Sequence, residues 1–380
     1  MLVNMNHAAT SGTKPKEVVD AITEYINENH HQSVGRGGNE LSTARMVFDS
    51  RVALAELFGA SKPANVVFTS GATDSLNIAI NGLVRPGCHV LATSLEHNAV
   101  ARPLYLLQKQ KQIEVTFLPH HPDGTFDPET ISAAIRPNTR LLIMTHASNV
   151  LGNILPVEEA FKIAKQHGLF TVLDAAQTAG HMPVALNENT DIIAFTGHKG
   201  LRGVAGIGGL ALGKSIASEL QPYKAGGTGS FSHSLDMPDF LPDKLEPGTP
   251  NLIGIISLKA AAQVIQKTGF KAIREHEQRI TTRFVNGLKK LPVTIYGNYN
   301  EQNWMPVVSI NVPDMDAGAL ARRLFDEFLI ETRSGLHCAP LAHKTIGTID
   351  FGTLRFSFGV DTTEEEIDYT LKSLAAIIET

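Results

Sequence analysis

Apolar residues in this chain gather first in short continuous runs: Val66–Thr69, Val90–Thr93, Val115–Leu118, Leu141–Thr145, Phe170–Leu173 and Ile192–Phe195. Each run is too short for a helix and lacks the alternation of a half-exposed strand. The runs therefore predict strands covered on both faces. Stretches with helical spacing lie between them, as in Val157–His167, where Val157, Ala160, Phe161 and Ala164 are the apolar positions. Strand alternating with helix predicts an α/β chain built on a mostly parallel sheet. The pattern breaks at Gly226–Pro250, where Gly, Ser, Pro and Asp predominate and a long loop is expected. A helical stretch follows from about Leu252 to Leu291, then strand-like Val307–Val312 and Leu354–Phe358, and a last amphipathic helix, Glu364–Ile378. Thr362 or Thr363 is placed to cap that helix, with Glu364, Glu365 and Glu366 at its positive end. The expected division is a large domain at 15–250 and a smaller α/β domain at 251–380, with residues 1–14 packing on the smaller one.

Composition narrows the classes. The chain has 380 residues, 43% of them hydrophobic and 19% charged, with a formal charge of −5. That is ordinary for a globular protein of two units. No basic footprint for nucleic acid is present. Met1–Thr13 lacks a basic segment followed by an apolar one, and no run approaches the roughly 18 apolar residues of a membrane span, so a cytoplasmic protein is expected. Two cysteines, Cys88 and Cys338, make no disulfide framework and fit a reducing compartment. No metal site is expected.

Candidate chemistry collects at strand ends. Ile192–Phe195 runs into Thr196-Gly197-His198-Lys199-Gly200, which puts a lysine where open α/β sheets bind ligands. Thr171–Leu173 ends in Asp174, followed by Ala175-Ala176-Gln177. Thr69-Ser70-Gly71-Ala72-Thr73-Asp74-Ser75 is a strand, a Gly/Ser/Thr turn and a helix start, and so a candidate phosphate cradle. It lacks the Gly-Lys-Ser/Thr ending of a P-loop. Each segment has a plain reading too: a turn lysine, a helix-capping Asp, an ordinary capped helix. Their order at separate strand ends is what turns three weak signals into one.

With these segments the chain resembles the class V aminotransferase-like pyridoxal-phosphate (PLP) enzymes, in particular the cysteine desulfurase and selenocysteine lyase branch. The resemblance covers essentially the whole length. It implies the type I, aspartate-aminotransferase-like α/β fold and PLP as cofactor. It implies that Lys199 is the Schiff-base lysine, with Thr196 and His198 beside the cofactor phosphate and Ala72 and Thr73 in the phosphate turn. His97, in Glu96-His97-Asn98-Ala99, matches the imidazole that stacks on the pyridine ring, and the usual titration range of histidine makes it a candidate to assist proton transfer as well. Asp174 matches the acid at the ring nitrogen, where it supports the electron sink. Asn149 and Gln177 match side chains near the ring's phenolic oxygen, and Asn149 also borders the substrate. Thr249 matches a residue that reaches the phosphate from a partner subunit, which implies a homodimer. Two positions depart from the pattern: Asn6 stands where the family often has an acid, and Cys88 stands where relatives carry an acidic residue. Cys88 reads as a structural cysteine opening a strand.

Thr332-Arg333-Ser334-Gly335-Leu336-His337-Cys338-Ala339-Pro340 resembles the short cysteine loop of one desulfurase class. The resemblance makes Cys338 a nucleophile that takes sulfur from L-cysteine as a persulfide and leaves L-alanine. His337 and Arg333 are near enough in sequence to supply the positive charge a thiolate needs, and Arg333 is also a candidate substrate contact. The plain reading is a small buried hydrophobe. Arg355, in an apolar strand, matches the substrate-carboxylate arginine, against a structural salt bridge as the plain reading. Selenocysteine lyase activity, an aminotransferase- or epimerase-type reaction on another amino acid, and a cofactor-free sulfur-carrier scaffold are the competing readings. A sulfur-acceptor protein or a small reductant would remove the sulfur.

Overall fold

The computed structural model describes residues 2–27, 38–299 and 304–379. The chain begins with strand β1 (Val3–Asn4) and helices α1 (Lys16–Asn27) and α2 (Gly38–Phe58). It continues through β2 (Val66–Thr69), α3 (Ala72–Leu83), β3 (His89–Thr93), α4 (Asn98–Lys109), β4 (Glu114–Leu118), α5 (Thr130–Ala134) and β5 (Thr139–Thr145). Then follow α6 (Val157–Gln166), β6 (Phe170–Asp174), β7 (Ile192–Thr196) and β8 (Gly208–Leu212). No helix or strand other than one short 3-10 turn at Ile216–Ser218 interrupts the path to α7 (Leu252–Thr268) and α8 (Phe270–Leu288). The rest comprises β9 (Thr294–Tyr296), β10 (Val307–Asn311), α9 (Ala317–Phe328), β11 (Ile330–Glu331), β12 (Arg333–Gly335), α10 (Pro340–Thr345), β13 (Thr353–Ser357) and α11 (Glu364–Ile378).

The large sheet has the order β2-β8-β7-β6-β5-β3-β4. All its pairings are parallel except those of β8, which runs antiparallel to β2 and to β7. Alternate residues of each central strand feed two cores. Leu91, Leu142, Met144, Leu173, Ile193 and Phe195 join one, and Val90, Ala92, Leu141, Ile143, Val172 and Ile192 join the other. That double burial is why these strands read as unbroken apolar runs. The smaller sheet, β12-β13-β10-β9, is antiparallel and packs on α8, α9 and α11.

All six expected strands of the large sheet are present, within two residues of the expected bounds. Thr363 caps α11, its hydroxyl accepting from Glu366 N–H while Glu366 accepts from Thr363 N–H. Strand β8 was not expected. The helical stretch after residue 251 is two helices broken at Gly269, whose φ of 80° ends α7. Helix α7 packs against α1 and α2, whereas α8 gives Ile280 and Phe284 to the smaller core. Helix α7 thus packs with the large core, and so does the start of α8, where Ile273 lies. At the N-terminus, Val3 and Met5 lie in the smaller core and β1 pairs with β11.

Candidate active site

The C-terminal ends of the large sheet's strands converge on a cleft of about 330 Å³. At its floor β2 turns into α3 through Gly71, whose φ of 144° is a conformation an L side chain rarely adopts. The same spot is closed from behind by Gly208 of β8, where an added Cβ would lie 2.5 Å from Phe195 O and 2.7 Å from Gly71 Cα. No side chain caps α3. Its first N–H groups, at Ala72 and Thr73, border the cleft with Thr196 and His198. An uncapped helix start carrying partial positive charge is an anion cradle. His198 is neutral at pH 7, its pKa pushed down to about 4 by burial and then by Lys199 and Lys14.

Asp174 at the end of β6 is buried. Its Oδ1 accepts from Ala176 N–H at 2.9 Å, and its other oxygen has no protein donor among the described residues. Burial raises its pKa, and Lys199 draws it back. Lys199, three residues past the end of β7, borders the cleft, and its amine has no hydrogen bond or ion pair among the described residues. Burial lowers its pKa to about 8; Arg355 and Arg333 push the same way, and Asp174 opposes them. Its amine is therefore a group that exchanges protons near neutrality.

His97 caps α4, with Nδ1 accepting from Ala99 N–H at 3.0 Å. That bond leaves Nε2 as the protonated nitrogen of the neutral ring. Burial, then Lys199, Arg333, Arg355 and Arg102, lowers its pKa to about 4. Burial and four neighbouring cations oppose its charged form. It is a neutral ring with one outward N–H.

Arg355, in β13, is 1% exposed. Its Nη1 donates to Asn149 O at 2.9 Å and its Nη2 to Asn6 Oδ1 at 3.4 Å, while Nε has no partner. No acid pairs with it among the described residues. The structural salt bridge is thus absent, and the guanidinium is left with spare donors at the cleft wall. Asn6 explains part of this, since an acid there would neutralise Arg355 and an amide does not. Asn149 borders the cleft but spends one N–H on His337 O at 2.7 Å. Gln177 also borders it and donates to Ala8 O at 3.3 Å.

Cys338 is half-buried and faces an adjoining groove rather than the cleft itself. Arg333 lines both, and its Nη2 lies 3.7 Å from Cys338 Sγ. His337 supplies no charge: its ring is buried, its Nε2 meets Thr353 at 3.1 Å, and burial followed by Arg355 lowers its pKa to about 2. Of the two residues expected to supply positive charge to the thiol, Arg333 alone lies beside the sulfur. His337 and Cys338 both adopt left-handed backbone, at φ 48° and 58°. Two such non-glycine residues in succession are rare and are held in place by their surroundings. Asn98 N–H donates to Cys338 O at 2.6 Å, and the Asn149 amide holds the preceding carbonyl.

A sequence model of the family "Aminotransferase class-V" matches residues 3–370. The chain belongs to this family. It is 33% identical to "Probable cysteine desulfurase" of Pyrococcus abyssi, over 99% of this chain and 94% of that protein. It is 33% identical to the cysteine desulfurase of Escherichia coli strain K12 / DH10B, over 97% and 92%. Among solved structures, the apo cysteine desulfurase of Thermococcus onnurineus NA1 superimposes with a TM-score of 0.92 at 32% identity, covering 100% of this chain and 95% of that one. The S-sulfonic acid form of CsdA from Escherichia coli gives 0.89 at 26%, with the same coverage.

Class-V aminotransferases and cysteine desulfurases are PLP-dependent. The cleft fits such a group on its own features: an uncapped helix start, a lysine without a partner, and a buried acid with one oxygen free. Thr249 is not brought to the cleft within one chain. It is exposed and borders a neighbouring depression with Lys224 and Pro250. Cys88 is buried directly before β3 among apolar residues. One residue at the site escaped the sequence reading. Glu96 is fully buried beside His97, its Oε1 accepting from Thr93 Oγ1 at 2.6 Å and Thr145 N at 2.9 Å, while Oε2 has no partner. Burial raises its pKa to about 8. Its sequence signal was weak, since Glu96 stands among polar Thr93, Ser94, His97 and Asn98 and reads as an ordinary turn residue.

Proposed function

We propose that the chain is a PLP-dependent cysteine desulfurase that converts L-cysteine to L-alanine and retains the sulfur as a persulfide on Cys338. The observation that carries this reading is the pairing of Lys199, its amine unpartnered and desolvated in the cleft, with the Cys338 thiol in the adjoining groove beside Arg333, which lines both. Ala72, Thr73, Thr196 and His198 would hold the cofactor's phosphate, and His97 its ring face. Gln177 and the second Asn149 N–H would meet its phenolic oxygen, Asp174 its ring nitrogen, and Lys199 would hold it covalently. When bound, PLP supplies an electron sink at the substrate's α-carbon.

The chain's own groups do the rest. Arg355 grips the substrate carboxylate with donors that no protein acid occupies. The Lys199 amine, with a pKa near neutrality, carries the α-proton. The uncharged His97 ring adds no competing cation where the amine must lose its proton. The Arg333 guanidinium lies beside the Cys338 sulfur, the nucleophile of the next step. That thiolate attacks the substrate sulfur; the substrate Cβ–S bond breaks, a Cys338 S–S bond forms, and Cβ gains a proton to become the methyl of alanine.

Thr249 completes the phosphate site from a second copy of the chain. This accounts for its exposure, and for the apolar Phe231, Leu235 and Phe240 left exposed on the same long loop. Both cysteines are free, which fits a reducing cytoplasm.

The test is alanine and sulfide released from L-cysteine by the PLP-loaded protein with a reductant. Cys338→Ala should keep the visible cofactor absorbance and lose alanine production. Lys199→Ala should lose that absorbance. Undiminished alanine from Cys338→Ala would refute the role given to the thiol. Activity on selenocysteine alone would move the assignment to a lyase, and pyridoxamine phosphate formed with a keto-acid acceptor would move it to transamination.

A further inference from the structure

The groove outside Cys338 has a volume of about 570 Å³, within the range of small-ligand pockets. Tyr105, Phe117, Leu336 and Leu341 give it an apolar lining. Among the described residues its charged side chains are Arg102 and Arg333, with no Asp or Glu in the lining. Neither arginine pairs with a carboxylate among the described residues, and the positive charge of each acts on His97. An apolar pocket with two unpaired guanidiniums and a nucleophile at its edge is complementary to an anionic molecule that must approach that nucleophile.

The thiol cannot travel to meet a distant acceptor. Only residues 336–339 separate β12 from α10. Their path is fixed by the two successive left-handed residues and by the bonds to Asn98 N–H and the Asn149 amide. Sulfur held on Cys338 must be collected there.

We infer that this groove binds the sulfur-accepting co-substrate, and that the co-substrate is a small thiol bearing a carboxylate. The inference rests on the desulfurase reading. The acceptor's thiolate attacks the outer sulfur of Cys338–S–SH, the S–S bond breaks, Cys338 leaves as thiolate, and the acceptor becomes its own persulfide. A second molecule of the same thiol then releases hydrogen sulfide and forms the acceptor's disulfide, so the thiol is the reductant.

The experiment uses the PLP-loaded full chain with L-cysteine held at one concentration, because L-cysteine is itself such a thiol. Sulfide release is followed against 3-mercaptopropionate and against cysteamine, compared at equal thiolate. The expected result is saturation with 3-mercaptopropionate and a kcat/KM at least about tenfold above that for cysteamine, the factor a difference of ~1.4 kcal/mol gives. Arg102→Glu should reverse that order, and Arg102→Lys should keep it. Equal kcat/KM for the two thiols, or a ratio that Arg102→Glu leaves unmoved, overturns the inference. A single-turnover measurement without added thiol separates the two readings. One alanine per site there, with equal kcat/KM for the two thiols in the steady-state comparison, defeats the groove assignment alone, whereas no alanine defeats the desulfurase reading and the groove together.

Discussion

Replacing Arg355 with methionine separates a binding role from a structural one, because the two predict opposite patterns. Methionine fills a similar volume without charge or donors. In the protein the guanidinium is 1% exposed and unpaired by any described acid. Burial, with repulsion from Arg333, lowers its pKa to about 9, which still leaves a cation at pH 7. Holding a buried ion without a counterion costs several kcal/mol. Removing it recovers much of that, while the Asn149 carbonyl loses its donor at a cost of about 1–3 kcal/mol. The melting temperature of Arg355→Met is therefore expected to stay level or rise. Substrate binding should suffer, since a carboxylate that loses its buried charged partner gives up about 2–5 kcal/mol. At 1.36 kcal/mol per decade, kcat/KM for L-cysteine falls roughly 30-fold to several thousand-fold. The assay is initial-rate alanine formation across cysteine concentrations, beside thermal unfolding of the same preparation. A marked loss of stability with kcat/KM unchanged would show that Arg355 is a structural residue and refute the reasoning.

Asn6→Asp would set a carboxylate against Arg355 that the substrate must displace, a charge-assisted bond of about 1.5 kcal/mol, so KM should rise on the order of tenfold with little change in kcat; an unchanged KM counts against it. Glu96 holds a proton in the folded protein that the unfolded chain releases above about pH 4.5. Folding stability should therefore fall by about 1.4 kcal/mol per pH unit from there to about pH 8, and Glu96→Gln should remove that slope in urea unfolding at pH 5 and pH 8. Equal slopes in the two proteins would contradict the assignment. Gly208→Ala drives a methyl against backbone on two sides, so a loss of about 1–3 kcal/mol and weaker PLP retention on dialysis are expected, and wild-type retention would show that the turn can yield.

The strand ends were legible in the sequence because strands buried on both faces leave continuous apolar runs, and Lys199 and Asp174 stand at the ends of two of them. Strand β8 was not, because Gly208-Gly209 lacks the side chains that mark a strand, although close packing of β2 and β7 against it requires those glycines. Gly269 could have signalled the break between α7 and α8, as a glycine at a helix C-terminus often does. The electrostatics were beyond sequence. Adjacency made His337 and Arg333 equal candidates to charge the thiol, yet the left-handed turn sends one ring into the core against Thr353 and leaves one guanidinium by the sulfur. His97 looked like an ordinary titrating histidine until the fold gathered Lys199, Arg333, Arg355 and Arg102 around it. The separation of Cys338 from the cleft has the same origin, since residue spacing carries no direction.

Strand β8 sets a length. In its register Gly208 pairs with Thr69 on one side and with Thr196 on the other. The turn that would grip a phosphate and the strand end that leads to Lys199 are thus two inter-strand spacings apart, about 9–10 Å. Hydrogen-bond ladders fix that distance, and no side chain can adjust it. The site works as a gauge: a cofactor analogue with a longer phosphate arm would reach one anchor and miss the other, whatever its ring chemistry.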